Sequence, residues 1–338
     1  MAESNGSLPT DTPLAPVRSR FDSELIAAFH GPNGLRAGWR LLIFLAAVSV
    51  LFSSANLIAR AIAREHAWTP GTGLTPGFVV ISEAVGFFLI LLASWIMAMI
   101  EGRKMADYGL PLRRIFCGRF WLGAILGFAS ITALLAALGA ARAFHFGPIQ
   151  LTGVAIWRYA GLWALAFLFV ALFEEFAFRG YALFTVSTGI GFWPAALIAS
   201  AVFGYIHHGN PGESRVGMFS AGAVGLLFCL MLRRTGDLWM PIGFHAAWDW
   251  GQTYFYGVPD SGVSAQGHLF SASFSGLTWL TGGTVGPEGS WLCILLLVLL
   301  WIPCSLWLPE VKYPNPWAIP DPRRGNASRG ASPTREMA

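Results

Sequence analysis

The stretch Leu162–Gly180, LWALAFLFVALFEEFAFRG, decides the reading of this chain. An unbroken apolar run from Leu162 to Phe173 passes directly into two glutamates, and Arg179 follows one helical turn after them. An ionisable side chain within a membrane-length apolar run is costly, which makes each one a functional hypothesis by default. On a helix, Glu175 and Arg179 stand at i,i+4 on one face and can neutralise each other. Glu174 points about 100° away and is left for chemistry. The plainer alternative is that both glutamates mark an interface and pair with arginines.

Composition carries the same message outward from that stretch. Of the 338 residues, 55% are hydrophobic and 12% charged. An ordinary soluble domain carries roughly 25% charged residues. Mean hydropathy is +0.56, and the apolar residues fall in long blocks. Eight blocks have the length of candidate spans: about 38–60, 76–100, 119–141, 156–178, 191–207, 216–232, 238–256 and 290–308. The expected fold is therefore an all-α polytopic membrane protein with about eight transmembrane helices. The seventh block, which contains His245 and Asp249, would not face lipid all round. The four cysteines, Cys117, Cys229, Cys293 and Cys304, form no CxxC pair and read as apolar packing residues.

The domain organisation expected is a disordered cytoplasmic segment 1–36, a membrane domain 37–308 and a disordered cytoplasmic tail 309–338. The N-terminal segment lacks a basic stretch followed by an apolar core, so it does not read as a signal peptide. Eight spans put both ends on one side. That side receives Arg18, Arg20, Arg36, Arg40, the basic residues of 103–119, Arg179, Arg233, Arg234 and those of the tail. The other receives Arg60, Arg64, Arg142, Arg158 and Arg215. The positive-inside bias then places both termini in the cytoplasm of an integral membrane protein, in the cell membrane if the source is bacterial. A net charge of +4 and a pI near 9.0 thus reflect topology and lipid headgroups of the bilayer, not nucleic acid. The loop Gly257–Gly289 has no Lys or Arg. It lies on the non-cytoplasmic side, as a lid or as a connector.

Two further clusters complete the candidate site. Phe203 and His207 stand four residues apart near the end of the fifth block, and His245 and Asp249 stand four apart in the seventh. Taken singly, each is as easily an interfacial or internally hydrogen-bonded group. Together, a carboxylate, two histidines and a further carboxylate from separate apolar spans are what peptide hydrolysis within a membrane requires. The glutamate takes a proton from water, and the histidines and aspartate hold that water or stabilise the oxyanion. Two histidines and a carboxylate, His207, His245 and Asp249, also match a hydrolytic zinc donor set.

Glu174-Glu175-xxx-Arg179, Phe203-xxx-His207 and His245-xxx-Asp249 resemble, in order and spacing, the three motifs of the CAAX protease and bacteriocin-processing (Abi) family, which includes the type II CAAX prenyl endopeptidases. Arg36–Arg40, Asp107–Pro111 and Arg234–Trp239 add supporting likeness, and the protease core spans about 155–255. The resemblance implies eight helices around an intramembrane cavity. It implies that Glu174 activates water, that His207, His245 and Asp249 position it and stabilise the transition state, and that Glu175, Arg179 and Phe203 support that geometry. Zinc and metal-free mechanisms both stay open, Asp249 in place of the family's alternative Asn being a ligand-capable residue. The partner implied is a peptide or protein substrate, prenylated or membrane-anchored. The alternatives are a transporter or proton relay built from the same groups, and a silent binding or immunity protein.

One geometric condition follows. If the fourth span ended at Arg179, Glu174 and His207 would lie at opposite depths, since 15 helical residues cover roughly 20 Å. A shared site requires the chain to stay helical over 174–186.

Overall fold

The computed structural model describes residues 27–31, 34–65, 75–210, 212–262 and 265–314. The remainder of the expected N-terminal segment and of the tail lies outside the described residues. The fold is all-α, with helices at all eight expected positions: α1 (Ala37–Glu65), α2 (Pro76–Glu101), α3 (Gly118–Ala140), α4 (Val154–Arg179) continued by α5 (Tyr181–Ile190), α6 (Phe192–Ile206), α7 (Arg215–Thr235), α8 (Trp239–Asp249) and α9 (Trp291–Trp307). Five stretches are long and apolar enough to cross a membrane: Ala37–Arg64, Pro76–Glu101, Gly118–Ala140, Val154–Ile190 and Arg215–Thr235. α6, α8 and α9 are shorter. α6 gives way to a 3-10 turn at His207, and α8 widens into a π-helical turn, Trp250–Phe255.

Local chemistry sets the helix ends. Thr75 accepts from the amide of Phe78 ahead of Pro76, and Gly102 closes α2 in the left-handed conformation. Ser214 and Ser290 cap α7 and α9 in the same manner.

Contacts between helix ends assign them to two faces. On the first, Arg40 of α1 binds Glu101 at the end of α2 and lies 3.3 Å from Thr188 near the end of α5. Asp237, between α7 and α8, binds Arg114 and Arg119 at the start of α3. The amides of Lys312 and Tyr313, beyond α9, donate to the carbonyl of Arg233 at the end of α7. On the opposite face, β1 (Phe144–Ile149), which follows α3, pairs antiparallel with β2 (Phe270–Phe274), which follows α8. There the Trp163 indole of α4 donates to the Gln266 carbonyl, and Thr284 reaches the Gly212 carbonyl. The described residues of the loop 257–289 thus form a cap stitched to α4 and to the connection after α3.

Packing also engages residues just beyond the two ends of the helical bundle. After α9, Tyr313 is 2% exposed and its ring packs near Phe184 and Phe192. Just before α1, Phe29 stacks on Trp39, and the Arg36 amide donates to the Phe29 carbonyl. Cys229, Cys293 and Cys304 are buried as expected, whereas Cys117 is exposed at the start of α3.

The closest helix pairing is α3 against α8, and glycines make it possible. A Cβ on Gly127 would lie 2.1 Å from the Phe244 carbonyl oxygen, and one on Gly123 the same distance from that of Met240. Gly243 returns the contact against Phe120. Side chains at these points would push α8 off α3 and carry His245 with it. Gly127→Val is expected to destabilise the folded chain by about 1–3 kcal/mol or more, by analogy with overpacked cores. Thermal unfolding in detergent checks this, with Gly118→Ala, where a Cβ meets nothing within 4 Å, as the unaffected control.

Candidate active site

The stretch that opened the sequence reading lies within one long, nearly continuous helical passage. α4 ends at Arg179, Gly180 alone departs from helical geometry (ψ −121), and α5 resumes at Tyr181. The required helicity over 174–186 is therefore present, with a one-residue interruption. Glycine suits that position, since a Cβ there would fall 2.3 Å from the Phe176 carbonyl oxygen. Glu174 consequently sits well inside the passage Val154–Ile190 and not at its end.

Glu175 and Arg179 pair at 3.3 Å, and both side chains are fully buried. The guanidinium lies 4.3 Å from the centroid of the Phe203 ring on α6, a cation–π contact that a dry site strengthens. α7 makes room for it at Gly225, where a Cβ would lie 2.3 Å from Arg179 Nη2. Phe203 thus acts through Arg179 as well as through its own neighbour His207.

His245 is the hub. Its Nδ1 lies 3.0 Å from Glu175 Oε1, while Nε2 lies 3.3 Å from Asp249 Oδ2 and 3.7 Å from Glu174 Oε2. With Arg179 Nη1 donating to Glu175 Oε1 as well, the consistent assignment has Nδ1–H donating to Glu175. Nε2 then faces two carboxylates. A neutral ring satisfies neither by donation, so the geometry calls for a proton shared among Nε2, Asp249 and Glu174. The Phe228 ring stacks on the imidazole at 5.7 Å between centroids and fixes its plane.

His207 lies on the same cavity wall but bonds elsewhere. Its Nδ1 contacts the Phe203 carbonyl at 2.8 Å, leaving Nε2 toward the cavity residues without a hydrogen-bond partner among the described residues. The cavity measures roughly 300 Å³ and brings Glu174, His207, His245 and Asp249 onto one surface. The structure does not gather His207, His245 and Asp249 into one donor set. The described group with mutually close ligand atoms is Asp249, Asp260 and Glu288, all within 4.8 Å. That set is oxygen-only, unlike the nitrogen- and sulfur-rich sets zinc favours.

The cavity also contains carboxylates that the sequence reading missed: Glu83, Glu213, Asp260 and Glu288. Glu83 sits inside the second apolar block, where the cost of a buried charge was itself the signal. Asp260 and Glu288 come from the cap, whose polar composition hides them. Asp260 accepts from Thr253 Oγ1 at 2.9 Å. Glu288 accepts from Trp248 Nε1 and from the amide and hydroxyl of Ser261, each at 3.1 Å. Burial, and then the charges of Asp249 and Glu288, holds the Asp260 carboxyl well above the usual carboxylate range. Burial, followed by the charge of Asp249, also raises Glu288.

Residues 155–251, which supply every motif residue of this site, match the family model of the Rce1-like type II CAAX prenyl endopeptidases. Over this segment the chain is similar to that family. The match agrees with the resemblance read from the three motifs and supports a CAAX-type protease family for this segment. No curated protein matches the chain. The Rce1-like segment stops at Gly251, so Glu83, Asp260 and Glu288 are additions from outside it to the same cavity.

The Glu175–Arg179 pair yields a test of the scaffold itself. Arg179→Met strands a buried carboxylate and is expected to cost about 3–5 kcal/mol. Glu175→Gln together with Arg179→Met should recover part of that loss. Unfolding midpoints of the two single variants and the double variant, measured in one detergent, provide the check.

Proposed function

We propose that this chain is an intramembrane endopeptidase in which Glu174 activates water for attack on a peptide bond near the membrane end of its substrate. The observation that carries the reading is the convergence of Glu174 and Asp249 on His245 Nε2, at 3.7 and 3.3 Å, on the wall of a cavity that His207 also lines. The Rce1-like match over the same residues supports it.

In this mechanism Glu174 removes a proton from water as the oxygen adds to the scissile carbonyl. His245, protonated at Nε2 and oriented through Nδ1 by Glu175, donates toward the developing oxyanion. His207 offers its free Nε2 from the neighbouring wall. Asp249 holds the His245 ring and stabilises its charge. Glu174 then returns its proton to the departing amine nitrogen, and the acid and amine products separate. Every step is carried by side chains of this chain. The apolar wall opposite, with Phe78, Val79, Trp163 and Phe167, suits a lipidated or membrane-anchored peptide. The distribution of basic residues supports placing both termini in the cytoplasm.

Glu174→Gln and Glu174→Ala are expected to lower cleavage of a membrane-anchored peptide roughly 10²–10⁴-fold, the range for a general base. Retained cleavage in Glu174→Gln removes the assigned base. Wild-type cleavage should also persist after chelation, with no stoichiometric metal in the purified protein. Loss on chelation with recovery on zinc would replace the metal-free form of the proposal.

A further inference from the structure

The cavity is one-sided. Its walls come from the first turns of α2, from α4 up to Glu174, from the end of α6, from the first half of α7 and from the second half of α8. Its rim comes from the cap, through Asp260, Ser261 and Glu288. All these parts adjoin the face on which β1 pairs with β2. The opposite face is sealed. Tyr108, Tyr181, Phe184 and Tyr313 are buried there in edge-on ring contacts. Below them Glu101 joins Arg40, Arg103 and the Tyr181 hydroxyl.

Charge separates the same two faces. The sealed face bears Arg36, Arg40, the basic residues of 103–119, Arg233, Arg234 and Lys312. The open face bears only Arg60, Arg64, Arg142, Arg158 and Arg215, and the cap has no Lys or Arg. The connections are short, the regime in which basic residues mark the cytoplasmic side.

We infer that the catalytic cavity opens to the non-cytoplasmic face, so that the substrate is a membrane-anchored segment of an exported protein, cut on the outer side of the bilayer. This deepens the endopeptidase reading and rests on it for the word substrate, but the orientation stands on independent observations. A protein tail presented only from the cytoplasm meets the aromatic seal and the Arg40–Glu101 network, not the cavity.

The native chain carries its own reporter, because Cys117 is exposed on the sealed face while Cys229, Cys293 and Cys304 are buried. The full chain is expressed in a bacterial inner membrane, and intact spheroplasts are treated with a membrane-impermeant maleimide. Wild type is expected to stay unlabelled until the membrane is opened. Cys117→Ser/Leu277→Cys, with the new thiol on an exposed position of the cap, is expected to label without opening. Cys117→Ser/Trp279→Cys serves if the first variant does not accumulate. Labelling of Cys117 in intact spheroplasts, or protection of both cap thiols there, overturns the orientation. A second arm uses single-span reporter substrates with the scissile segment on either side, each read against Glu174→Gln. Cleavage confined to the outer segment and lost in the variant is expected. Cleavage confined to the inner segment overturns the inference while leaving the endopeptidase intact. Unchanged cleavage in Glu174→Gln sinks the endopeptidase while the thiol labelling still decides the orientation.

Discussion

The buried contact of Glu175 with Arg179 is the interaction on which the rest of the site depends. Two charges placed wholly out of water are expensive, and their attraction offsets that cost only when geometry and further contacts are good. Here the further contacts are the Phe203 ring beneath the guanidinium and the His245 imidazole against the carboxylate. Each comes from a different helix. The pair therefore acts as a junction: α4 supplies the charges, α6 and α7 enclose the cation, and α8 is oriented by the anion. Without it, His245 loses the partner that fixes which nitrogen faces the cavity, and Glu174 and Asp249 lose a defined ring to converge on.

A junction of this kind works only if the helices are close enough, and small residues set that distance. Gly123, Gly127 and Gly243 bring α3 and α8 into backbone contact, and Gly204 does the same for α6 and α7, where a Cβ would lie 2.5 Å from the Met218 carbonyl oxygen. In lipid no hydrophobic force draws helices together, so close backbone approach and internal polar bonds must do that work. The chain thus uses glycine to bring the spacing down and the buried ionic chain to lock rotation. The interruption at Gly180 belongs to the same design. It lets α4 and α5 act as one long passage and so holds Glu174 at the depth of His245.

Much of this was legible in the sequence because membrane insertion penalises charge so heavily. The i,i+4 relations of Glu175 with Arg179 and of His245 with Asp249 follow from helix geometry alone, and both appear as contacts at 3.3 Å. The requirement that 174–186 stay helical followed from depth arithmetic. What the sequence hid was long-range: that Glu175 faces His245 as well as Arg179, and that His207 bonds its own backbone and stays out of a three-ligand set. Glu83 was visible in principle as a charge inside an apolar block. Asp260 and Glu288 were not, since a Gly- and Ser-rich loop gives no period from which to infer that two of its acids turn inward. Nor could composition reveal that Tyr313 docks, because a single aromatic residue in a proline-rich tail looks the same whether it is held or free.

The concentration of carboxylates on one side of the cavity gives the architecture its direction. Asp249, Asp260 and Glu288 lie within 4.8 Å of one another; Asp260 and Glu288 accept from the neutral donors of Thr253, Trp248 and Ser261, and Asp249 lies 3.3 Å from His245 Nε2. Burial, and then the charge of Asp249, raises the carboxyls of Asp260 and Glu288 above their usual range. Such a group is tolerable only where water reaches it, at the mouth of the cavity and beneath a cap free of lysine and arginine. The sealed face follows the opposite rule, with each buried acid there met by arginine: Glu101 by Arg40 and Arg103, Asp237 by Arg114 and Arg119. Neutralised charge closes one end of the bundle and proton-sharing charge keeps the other end wet. A hydrolytic site needs water from one direction only, and this division of charge supplies it.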